Sequence, residues 1–375
     1  MPCSQVQELS YAEFSAALHD KAILARTPLC GTFTLTQRCN LHCVHCYETT
    51  DPGKTELNTS QVKTILDKLS AAGCLYLLIT GGEPLLREDF IELYLYAKKK
   101  GLIVTLFTNG TLLTPEIADV LRDYPPFLVE ISLYGISRET YKAMTGNGEA
   151  LDLCQRGIRL LLDREIPLKL KTMVTTQNRP ELWPIKNYVE QELKIDFRFD
   201  AMIWPRINGQ KDNIFCRLSP AEVVQLDIED QKRSRGWQEF NGQYGQAAYS
   251  EKLFTCNAGK SSFAVDSYGQ LRLCDMLRSP SFDLLAGSFR EGWDECFAKI
   301  SSLTRQKKDS PCGQCQQSAF CNLCPAWSSL EGGEDEFIVD FVCQIAQLRA
   351  KEFGGGKNGQ KRVSNTANKR SQVVS

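Results

Sequence analysis

Residues 33–47 read FTLTQRCNLHCVHCY, a strand-like run that leads directly into three closely spaced cysteines. These are Cys39, Cys43 and Cys46, and the next cysteine is Cys74, so the loop lacks the fourth thiolate of a closed metal site. Thiolate sulfur suits zinc and iron–sulfur clusters. A 4Fe–4S cube normally takes four cysteines, one for each iron. Three cysteines in one loop can therefore hold three corners of a cube and leave one iron open to a substrate or cofactor.

Strand-like segments recur after this loop, with amphipathic segments between most of them. One of these, REDFIELYLYAKKKG at 87–101, ends in lysines and a glycine, a typical helix stop. The β-rich segments are residues 33–36, 75–80, 103–110, 128–135, 168–175 and 196–204. This alternation predicts an α/β fold with a parallel sheet, but too few units for a complete eight-stranded barrel. An open doubly wound sheet and a partial (β/α)6 TIM-like barrel both fit this pattern, and in either we expect the chemistry where the strands end.

Composition places the chain among ordinary globular proteins. It has 375 residues, 42% hydrophobic and 24% charged, with a formal net charge of -1, a balance that gives no sign of nucleic-acid binding. It lacks both a run of roughly 18 apolar residues and a secretion signal. In such a chain 16 cysteines favour metal or catalytic use over disulfides. We predict a cytoplasmic protein without nucleic-acid or membrane partners.

The chain divides into four predicted parts. Residues 1–30 form an N-terminal extension, and residues 31–215 form the barrel-like core. The strand–helix rhythm then fails, and residues 216–350 form a small cysteine-rich lobe whose thin core would need metal to be stable. Residues 351–375 hold six Lys or Arg against one Glu and lack an apolar period. This composition predicts a disordered basic tail, with a functional basic arm as the alternative.

Taken together, the motifs resemble those of a known family. CNLHCVHCY resembles the CxxxCxxC loop of the radical S-adenosylmethionine (SAM) enzymes, and TGGEP at 80–84 resembles their second motif, on the next strand. In that family SAM chelates the fourth iron of a 4Fe–4S cluster. Its reductive cleavage gives methionine and a 5′-deoxyadenosyl radical, which abstracts hydrogen from the substrate. For the cysteines alone, a structural zinc site with a distant fourth ligand and chance clustering are the alternatives.

The resemblance also implies roles for residues at the strand ends. His45 would lie against the adenine. Gly81 and Gly82 would allow close approach of the cofactor, and Pro84 would hold Glu83 extended, so that strand-end groups face the cofactor's ammonium group. The other cofactor-binding candidates are Asn109 and Ser132, which resemble family positions near the ribose and the methionine carboxylate, and Lys171 and Asn178. The alternatives are a loop histidine packed beside the cluster, turn or cap residues, a solvated lysine and a loop asparagine.

A second cysteine pattern occupies the C-terminal lobe. It reads C-x12-G-x4-C around Gly269, then C-x2-C-x5-C-x2-C-x18-C. The array resembles the SPASM domain that follows the radical barrel in enzymes that modify peptides and proteins, and this implies one or two auxiliary 4Fe–4S clusters. By that resemblance an outer cluster would be held by Cys312, Cys315, Cys321 and Cys343, and an inner cluster by Cys256, Cys274 and Cys324.

Seven cysteines are one short of the eight that two cubes require, and the pattern departs from the family in two places. The spacing from Cys321 to Cys324 is one residue shorter than usual, and Ser261 and Ser262 stand where some members have another cysteine nearby. The inner cluster could then have an open iron for a substrate group. One or two zinc ions are the alternative for the whole lobe. Candidates for the missing ligand are Cys30, Cys216 and Cys296, whereas Cys74 and Cys154 are expected to be core thiols.

These features predict a radical SAM enzyme that abstracts hydrogen from a peptide or protein, of the kind that matures ribosomally made peptides. About 30 residues precede the first strand, so we expect a separate leader-peptide-binding protein as a partner, with flavodoxin or ferredoxin as the reductant. Alternatives are formylglycine formation in a sulfatase, modification of tetrapyrrole side chains and, from another class, a non-catalytic iron–sulfur or zinc redox sensor. The catalytic candidate is Asp200, whose alternative role is a salt bridge with an arginine such as Arg198.

Overall fold

The central part of the structure repeats a strand followed by a helix. The computed structural model describes residues 10–244, 250–301, 303–305, 312 and 315–354. The strands of this part are β1 (Cys30–Thr34), β2 (Tyr76–Thr80), β3 (Ile103–Thr108), β4 (Leu128–Ser132), β5 (Leu168–Met173) and β6 (Asp196–Asp200). The helices are α1 (Tyr11–Leu24), α2 (Thr59–Ala72), α3 (Phe90–Lys99), α4 (Pro115–Asp123), α5 (Arg138–Thr145), α6 (Ala150–Leu162) and α7 (Leu182–Asn187).

These strands form one parallel sheet in the order in which they occur along the chain. Each strand pairs with the next, from β1 with β2 to β5 with β6, and at least one helix crosses between each pair. The prediction of a partial (β/α)6 barrel is confirmed. Each predicted strand overlaps an observed one, although β1 begins at Cys30 and not at Phe33.

The cysteine-rich segment extends the same sheet. Its strands are β7 (Ser262–Val265), β8 (Gln270–Arg272) and β9 (Ser281–Asp283). β7 pairs parallel with β1, and β8 and β9 follow antiparallel, so strand pairing crosses the predicted domain boundary at residue 216. Gly269 lies between β7 and β8 with φ +84°, a backbone conformation that favours glycine. The helices of this part are α8 (Pro220–Glu229), α9 (Gln231–Tyr244), α10 (Phe297–Ser301), α11 (Pro325–Gly332) and α12 (Asp340–Phe353).

The limits of the crossover helices follow from their local sequence. α2 begins at a capping box between Asn58 and Gln61 and ends at Gly73, which has φ +101°. α3 matches the helix predicted within residues 87–101, and Gly101 follows it with φ +81°. One face of α2 is buried in the core through Val62, Ile65, Leu66, Leu69 and Ala72.

Helix α1, within the predicted N-terminal extension, covers the ends at which the first strands begin. The His19 ring stacks on Tyr76 at 5.6 Å between centroids, and His19 Nε2 lies 3.3 Å from Cys30 Sγ. The Tyr11 hydroxyl lies 3.3 Å from that of Tyr76. Because Cys30 and Tyr76 are the first residues of β1 and β2, α1 covers the end of the sheet opposite the cysteine loop.

The C-terminal end of the described chain is helical. α12 continues to Phe353, three residues into the predicted tail, and residues 355–375 lie outside the described residues. None of the helices in the described part of the chain has both the length and the apolar character needed to cross a lipid bilayer.

Candidate active site

The loops that follow β1 and β2 are joined through their backbones. Gly82 N donates to Thr36 O at 2.8 Å, and Glu83 N donates to Arg38 O at 2.9 Å. A Cβ atom added at Gly81 would lie 2.4 Å from Thr36 O, and one added at Gly82 would lie 2.4 Å from Arg38 O. Close contact between this turn and the cysteine loop therefore requires both glycines. In the sequence alone, only close approach of the cofactor explained the two glycines.

Substitution of Gly82 by alanine is expected to displace the cysteine loop, because the new Cβ would overlap backbone oxygens that cannot rotate away. We predict that Gly82→Ala binds less iron after reconstitution and that its rate of SAM cleavage falls at least about tenfold. The control is Gly242→Ala in α9, where an added Cβ meets no heavy atom within 4 Å. A Gly82→Ala protein with the iron content and rate of the control would refute this account of the glycine.

Glu83 joins the ends of β2 and β3 through its carboxylate. The side chain is fully buried. Its oxygens accept hydrogen bonds from Thr108 Oγ1 at 2.7 Å, Asn109 N at 2.7 Å and Leu85 N at 3.0 Å. Burial raises the pKa of Glu83 to about 7. The carboxylate thus bonds to groups within the protein, and Pro84 begins the short 3-10 turn that follows.

Asn109 connects this loop to the first cysteine. Its Nδ2 donates to Asn40 Oδ1 at 2.8 Å and lies 3.9 Å from Cys39 Sγ. Its Oδ1 accepts from Thr111 Oγ1 at 2.6 Å, and Asn40 Nδ2 donates in turn to Thr111 Oγ1 at 2.8 Å. Asn109 was predicted near the ribose of the cofactor. The structure places it beside the cluster loop, where a donor near sulfur would influence the potential of a bound cluster.

The three cysteines of the loop lie close enough to influence one another's ionisation. The pKa of Cys46 is raised to about 11, chiefly by burial and with a smaller contribution from the charge of Cys39. Burial, followed by the charges of Cys46 and Cys39, raises the pKa of Cys43, while a hydrogen bond with Tyr134 lowers it. Three thiolates in one buried loop would repel one another, so a cation is needed to hold them ionised.

His45 lies in the same buried loop. Burial lowers the pKa of His45 to about 4, so the ring is neutral, and its Nδ1 has no hydrogen-bond partner among the described residues. The ring lies 4.9 Å from that of Tyr134. Asn213 Nδ2 donates to the carbonyls of Cys46 and Trp204 at 3.2 and 2.8 Å. Sequence reasoning missed Tyr134 and Asn213. Tyr134 lies two residues beyond the end of β4, where functional side chains were expected, so its position was a usable signal. No local pattern indicated Asn213.

Ser132 and Asn178 hold neighbouring strand ends. Burial raises the pKa of the Tyr134 hydroxyl, and the Ser132 side chain lowers it in part. Asn178 is 1% exposed, its Oδ1 accepts from Thr175 N at 2.8 Å, and its Nδ2 donates to the carbonyls of Met173 and Tyr134 at 3.0 and 3.1 Å. Asn178 therefore positions the loops after β4 and β5, and its predicted role as a cofactor ligand stays a prediction.

Lys171 and Arg198 lie on one face of the sheet and share one carboxylate. Arg198 Nε donates to Glu130 Oε2 at 2.8 Å, and Lys171 Nζ lies 3.8 Å from the same oxygen. Lys171 Nζ also lies 3.1 Å from the centroid of the Phe107 ring. The predicted alternative for Asp200, a salt bridge with Arg198, is wrong because Arg198 pairs with Glu130, while Asp200 Oδ1 accepts from Met202 N at 2.8 Å. Lys171 is also not a solvated lysine, since burial lowers its pKa to about 7.

We predict that Lys171 makes stability depend on pH. Its pKa is about 7 when folded and about 10.4 when unfolded, so between these values the unfolded chain binds more protons and the free energy of unfolding rises with pH. Thermal unfolding between about pH 7 and about pH 9 should show a rise approaching about 1 kcal/mol per pH unit, which Lys171→Met removes. Lys169→Met, which loses an ion pair with the exposed Asp196, should keep the rise. An identical profile in wild type and Lys171→Met would disprove the assignment.

The auxiliary cysteines influence one another's pKa in two groups, which are linked because Cys321 also raises the pKa of Cys324. In the first, the pKa of Cys274 is raised to about 12 by burial, with a smaller contribution from Cys324, and the pKa of Cys324 is raised to about 11 by burial, with a smaller contribution from Cys256. In the second, the pKa of Cys321 is raised to about 11 by burial and by the nearby thiols of Cys312, Cys315 and Cys343. These are the inner and outer sets predicted by resemblance. The ligand assignment itself stays a prediction.

The other cysteines lie elsewhere. Cys74 and Cys154 are buried in the core as predicted. Cys216 is buried, and its Sγ donates to Asn213 O at 3.1 Å. Cys30 lies beside His19, as described above. The side chain of Cys296 lies outside the described residues, so the eighth ligand is still a prediction.

Two acidic side chains that sequence reasoning missed lie between the cysteine loop and the inner auxiliary set. Glu48 follows Cys46 by two residues, and Asp275 follows Cys274 directly. Burial, followed by the charge of Asp275, raises the pKa of Glu48 to about 7, and burial raises the pKa of Asp275 to about 6. The charges of Arg278 and Arg272 lower the pKa of Glu48 in part, and that of Arg272 lowers the pKa of Asp275 in part.

Comparison with known proteins agrees with this geometry. The family model described as "Radical SAM superfamily" matches residues 33–189. Mycofactocin maturase MftC of Mycobacterium tuberculosis is 30% identical over 324 residues, covering 82% of this chain and 78% of the relative. The chain belongs to the radical SAM superfamily. It is therefore an enzyme that uses a 4Fe–4S cluster and SAM, and the alternative of a non-catalytic redox sensor is set aside.

Two further proteins show how far the similarity extends. The AdoMet-dependent heme synthase of Methanosarcina barkeri is 26% identical over 328 residues, covering 81% of this chain and 93% of the relative. The crystal structure of Streptococcus suis SuiB bound to precursor peptide SuiA superimposes with a TM-score of 0.68 at 16% identity, covering 92% of this chain and 84% of that one. At that identity, the SuiB structure supports the fold.

The residues at this site fit both cofactors. Cys39, Cys43 and Cys46 would hold three irons, and the unpartnered Nδ1 of His45 and the tight turn at Gly82 border the same loop. When bound, the cluster would supply an electron, and SAM would supply the carbon–sulfur bond whose cleavage gives the radical that abstracts hydrogen. Within the described ranges no three His, Cys, Asp or Glu side chains converge on a single metal ion. A cube needs no such convergence, because each thiolate binds its own iron.

Proposed function

We propose that the chain modifies a peptide or protein by abstracting hydrogen from one of its residues, as in the maturation of ribosomally made peptides. The observation that carries the proposal is the second cysteine array beside the radical site, which packs against the core through β7. The relative named a maturase covers most of the chain, and the SuiB structure contains a precursor peptide. Both support this substrate class over a small metabolite.

The auxiliary sets suggest how the reaction ends. Abstraction of a hydrogen atom leaves a substrate radical, and an oxidised product requires removal of one more electron. The inner set of Cys256, Cys274 and Cys324 would hold a cluster able to accept that electron. Glu48 follows Cys46 and Asp275 follows Cys274 closely in the chain, and their carboxylates would orient a donor group of the substrate residue. A leader-peptide-binding protein, a flavodoxin or ferredoxin and a cytoplasmic location stay predictions.

The test begins with the reconstituted chain under anaerobic conditions. It is mixed with SAM, a reductant and any short peptide encoded by the neighbouring reading frames, and 5′-deoxyadenosine and peptide mass are followed together. We expect reductant-dependent 5′-deoxyadenosine and a peptide that loses hydrogen in proportion. Intact SAM after prolonged reduction would contradict the radical chemistry, and 5′-deoxyadenosine with an unchanged peptide would contradict the substrate.

The similarity to a heme synthase favours one second candidate. Iron coproporphyrin therefore serves as a parallel substrate in the same assay. If the mass of the tetrapyrrole changed and that of the peptide did not, the chain would be an enzyme that modifies tetrapyrrole side chains and not a peptide-modifying enzyme.

A further inference from the structure

A cleft opens at the end of the sheet where no further strand pairs. β6 is the terminal strand of the sheet that the described residues form. The cleft beside it has a volume of about 980 Å³, near the upper end of ligand pockets. Its walls include Phe197 and Phe199 of β6, Trp237 of α9 and Asn322, which lies between two auxiliary cysteines. The cleft thus connects the core sheet with the auxiliary lobe.

On the cleft side, β6 is paired with no other strand among the described residues. In a parallel sheet alternate residues direct their N–H and C=O groups to one neighbour. Asp200 O accepts from Val174 N at 2.7 Å on the β5 side, so Phe197 and Phe199 direct theirs outward. The outward Phe199 carbonyl accepts from Arg233 Nη1 at 3.1 Å. An extended chain placed along this edge can continue the sheet.

Basic and acidic side chains are nearly balanced around the cleft, with Glu190, Asp200 and Glu239 also lining it, but at one place two guanidinium groups share a single buried carboxylate. Asp227 is fully buried and accepts from both Arg233 Nε and Arg349 Nε at 2.8 Å, so one carboxylate serves two guanidinium groups. Arg349 is 2% exposed, and its Nη1 has no hydrogen-bond partner among the described residues. The nearby Glu229 and Asp230 are paired with Arg179 and Lys186.

The exposed side of this arrangement faces the cleft. The Arg233 side chain is 30% exposed, and its guanidinium carbon lies 4.8 Å from the centroid of the Phe199 ring. A carboxylate that enters the cleft can reach Arg233. The charge of Arg349, which is buried in the cleft wall, adds to the attraction.

We propose that this cleft binds an extended segment of the substrate peptide, paired along the outer edge of β6, with an acidic residue of the peptide on Arg233. The inference rests on the proposed peptide substrate. It specifies the binding surface and the chemistry of the bound segment: an extended strand with at least one carboxylate and with apolar side chains against Phe199 and Trp237. The peptide residues next to the bound segment would then lie near the C-terminal ends of the strands, where the cysteine loop is.

The test uses two glycines of α9. Gly236 lines the cleft, Gly242 is not among its lining residues, and an added Cβ at either meets no heavy atom within 4 Å. Randomised short peptides displayed on phage are selected on the reconstituted full chain with SAM, and the enriched peptides are synthesised and their affinities measured. We expect acidic, strand-forming peptides whose affinity falls at least about tenfold in Gly236→Trp and is unchanged in Gly242→Trp.

A second variant tests the charge. Arg233→Met keeps an apolar stem on Phe199 but removes the cation, and it should weaken acidic peptides about tenfold while leaving their amide analogues unaffected. Iron content and melting temperature report whether each variant folds. Selection of no peptide, or peptides that bind Gly236→Trp as tightly as wild type, would overturn the inference. Neither result affects the proposed function, which fails only if wild type leaves the encoded peptide unmodified.

Discussion

Replacing Cys39, Cys43 and Cys46 with alanine is expected to reduce SAM cleavage to background. Each thiolate holds a different iron of the same cube, so loss of all three leaves nothing to retain the cluster. Because no electron can then reach SAM, 5′-deoxyadenosine should be undetectable after prolonged incubation with reductant. Iron and sulfide should each fall by about four per chain, while the iron held by the auxiliary sets remains.

The matched control for this triple variant is Cys154→Ala. Cys154 is a fully buried thiol in α6, and its Sγ lies 4.0 Å from the carbonyl of Ser132. Loss of one buried sulfur costs about 1 kcal/mol of stability but removes no ligand. SAM cleavage by the triple variant at the rate of Cys154→Ala would disprove the assignment of the loop as the cluster site.

The sequence was most informative where a pattern is local. The loop spacing of Cys39, Cys43 and Cys46 and the strand–helix alternation depend on near neighbours, and both are found in the structure. The auxiliary cysteines came from resemblance, and their division into two ligand sets stays a prediction. The pairing of β7 with β1 was not predicted, because a strand of four residues carries little periodic signal.

What sequence reasoning missed depends on contacts between distant parts of the chain. Asn213 donates to the carbonyl of Cys46, a residue 167 positions away in the sequence, and no sequence motif connects the two. The acidic residues Glu48 and Asp275 meet only because the auxiliary lobe packs on the barrel. The sequence motif identified Glu83 as a site residue but did not reveal that its carboxylate joins the ends of β2 and β3. Its three hydrogen-bond donors belong to groups that the motif does not specify.

Glu83→Gln is expected to have the second large effect, on both stability and SAM cleavage. A carboxylate only accepts hydrogen bonds, and Glu83 accepts from Thr108, Asn109 and Leu85. The Gln amide would direct a donor at groups that also donate, and at least one of them would lose its partner inside the protein. We expect a loss of about 2–4 kcal/mol in the free energy of unfolding.

The effect of Glu83→Gln should extend to the cluster. Asn109 joins Glu83 through its backbone and lies beside Cys39 through its amide, so movement at the end of β3 displaces a cluster ligand. SAM cleavage should therefore fall at least about tenfold, with part of the iron lost. Glu88→Gln is the control, because Glu88 is exposed and lies five residues along the same loop. If Glu83→Gln melted and turned over like Glu88→Gln, the carboxylate would not be what joins β2 to β3, and Asn109 would need another support beside Cys39.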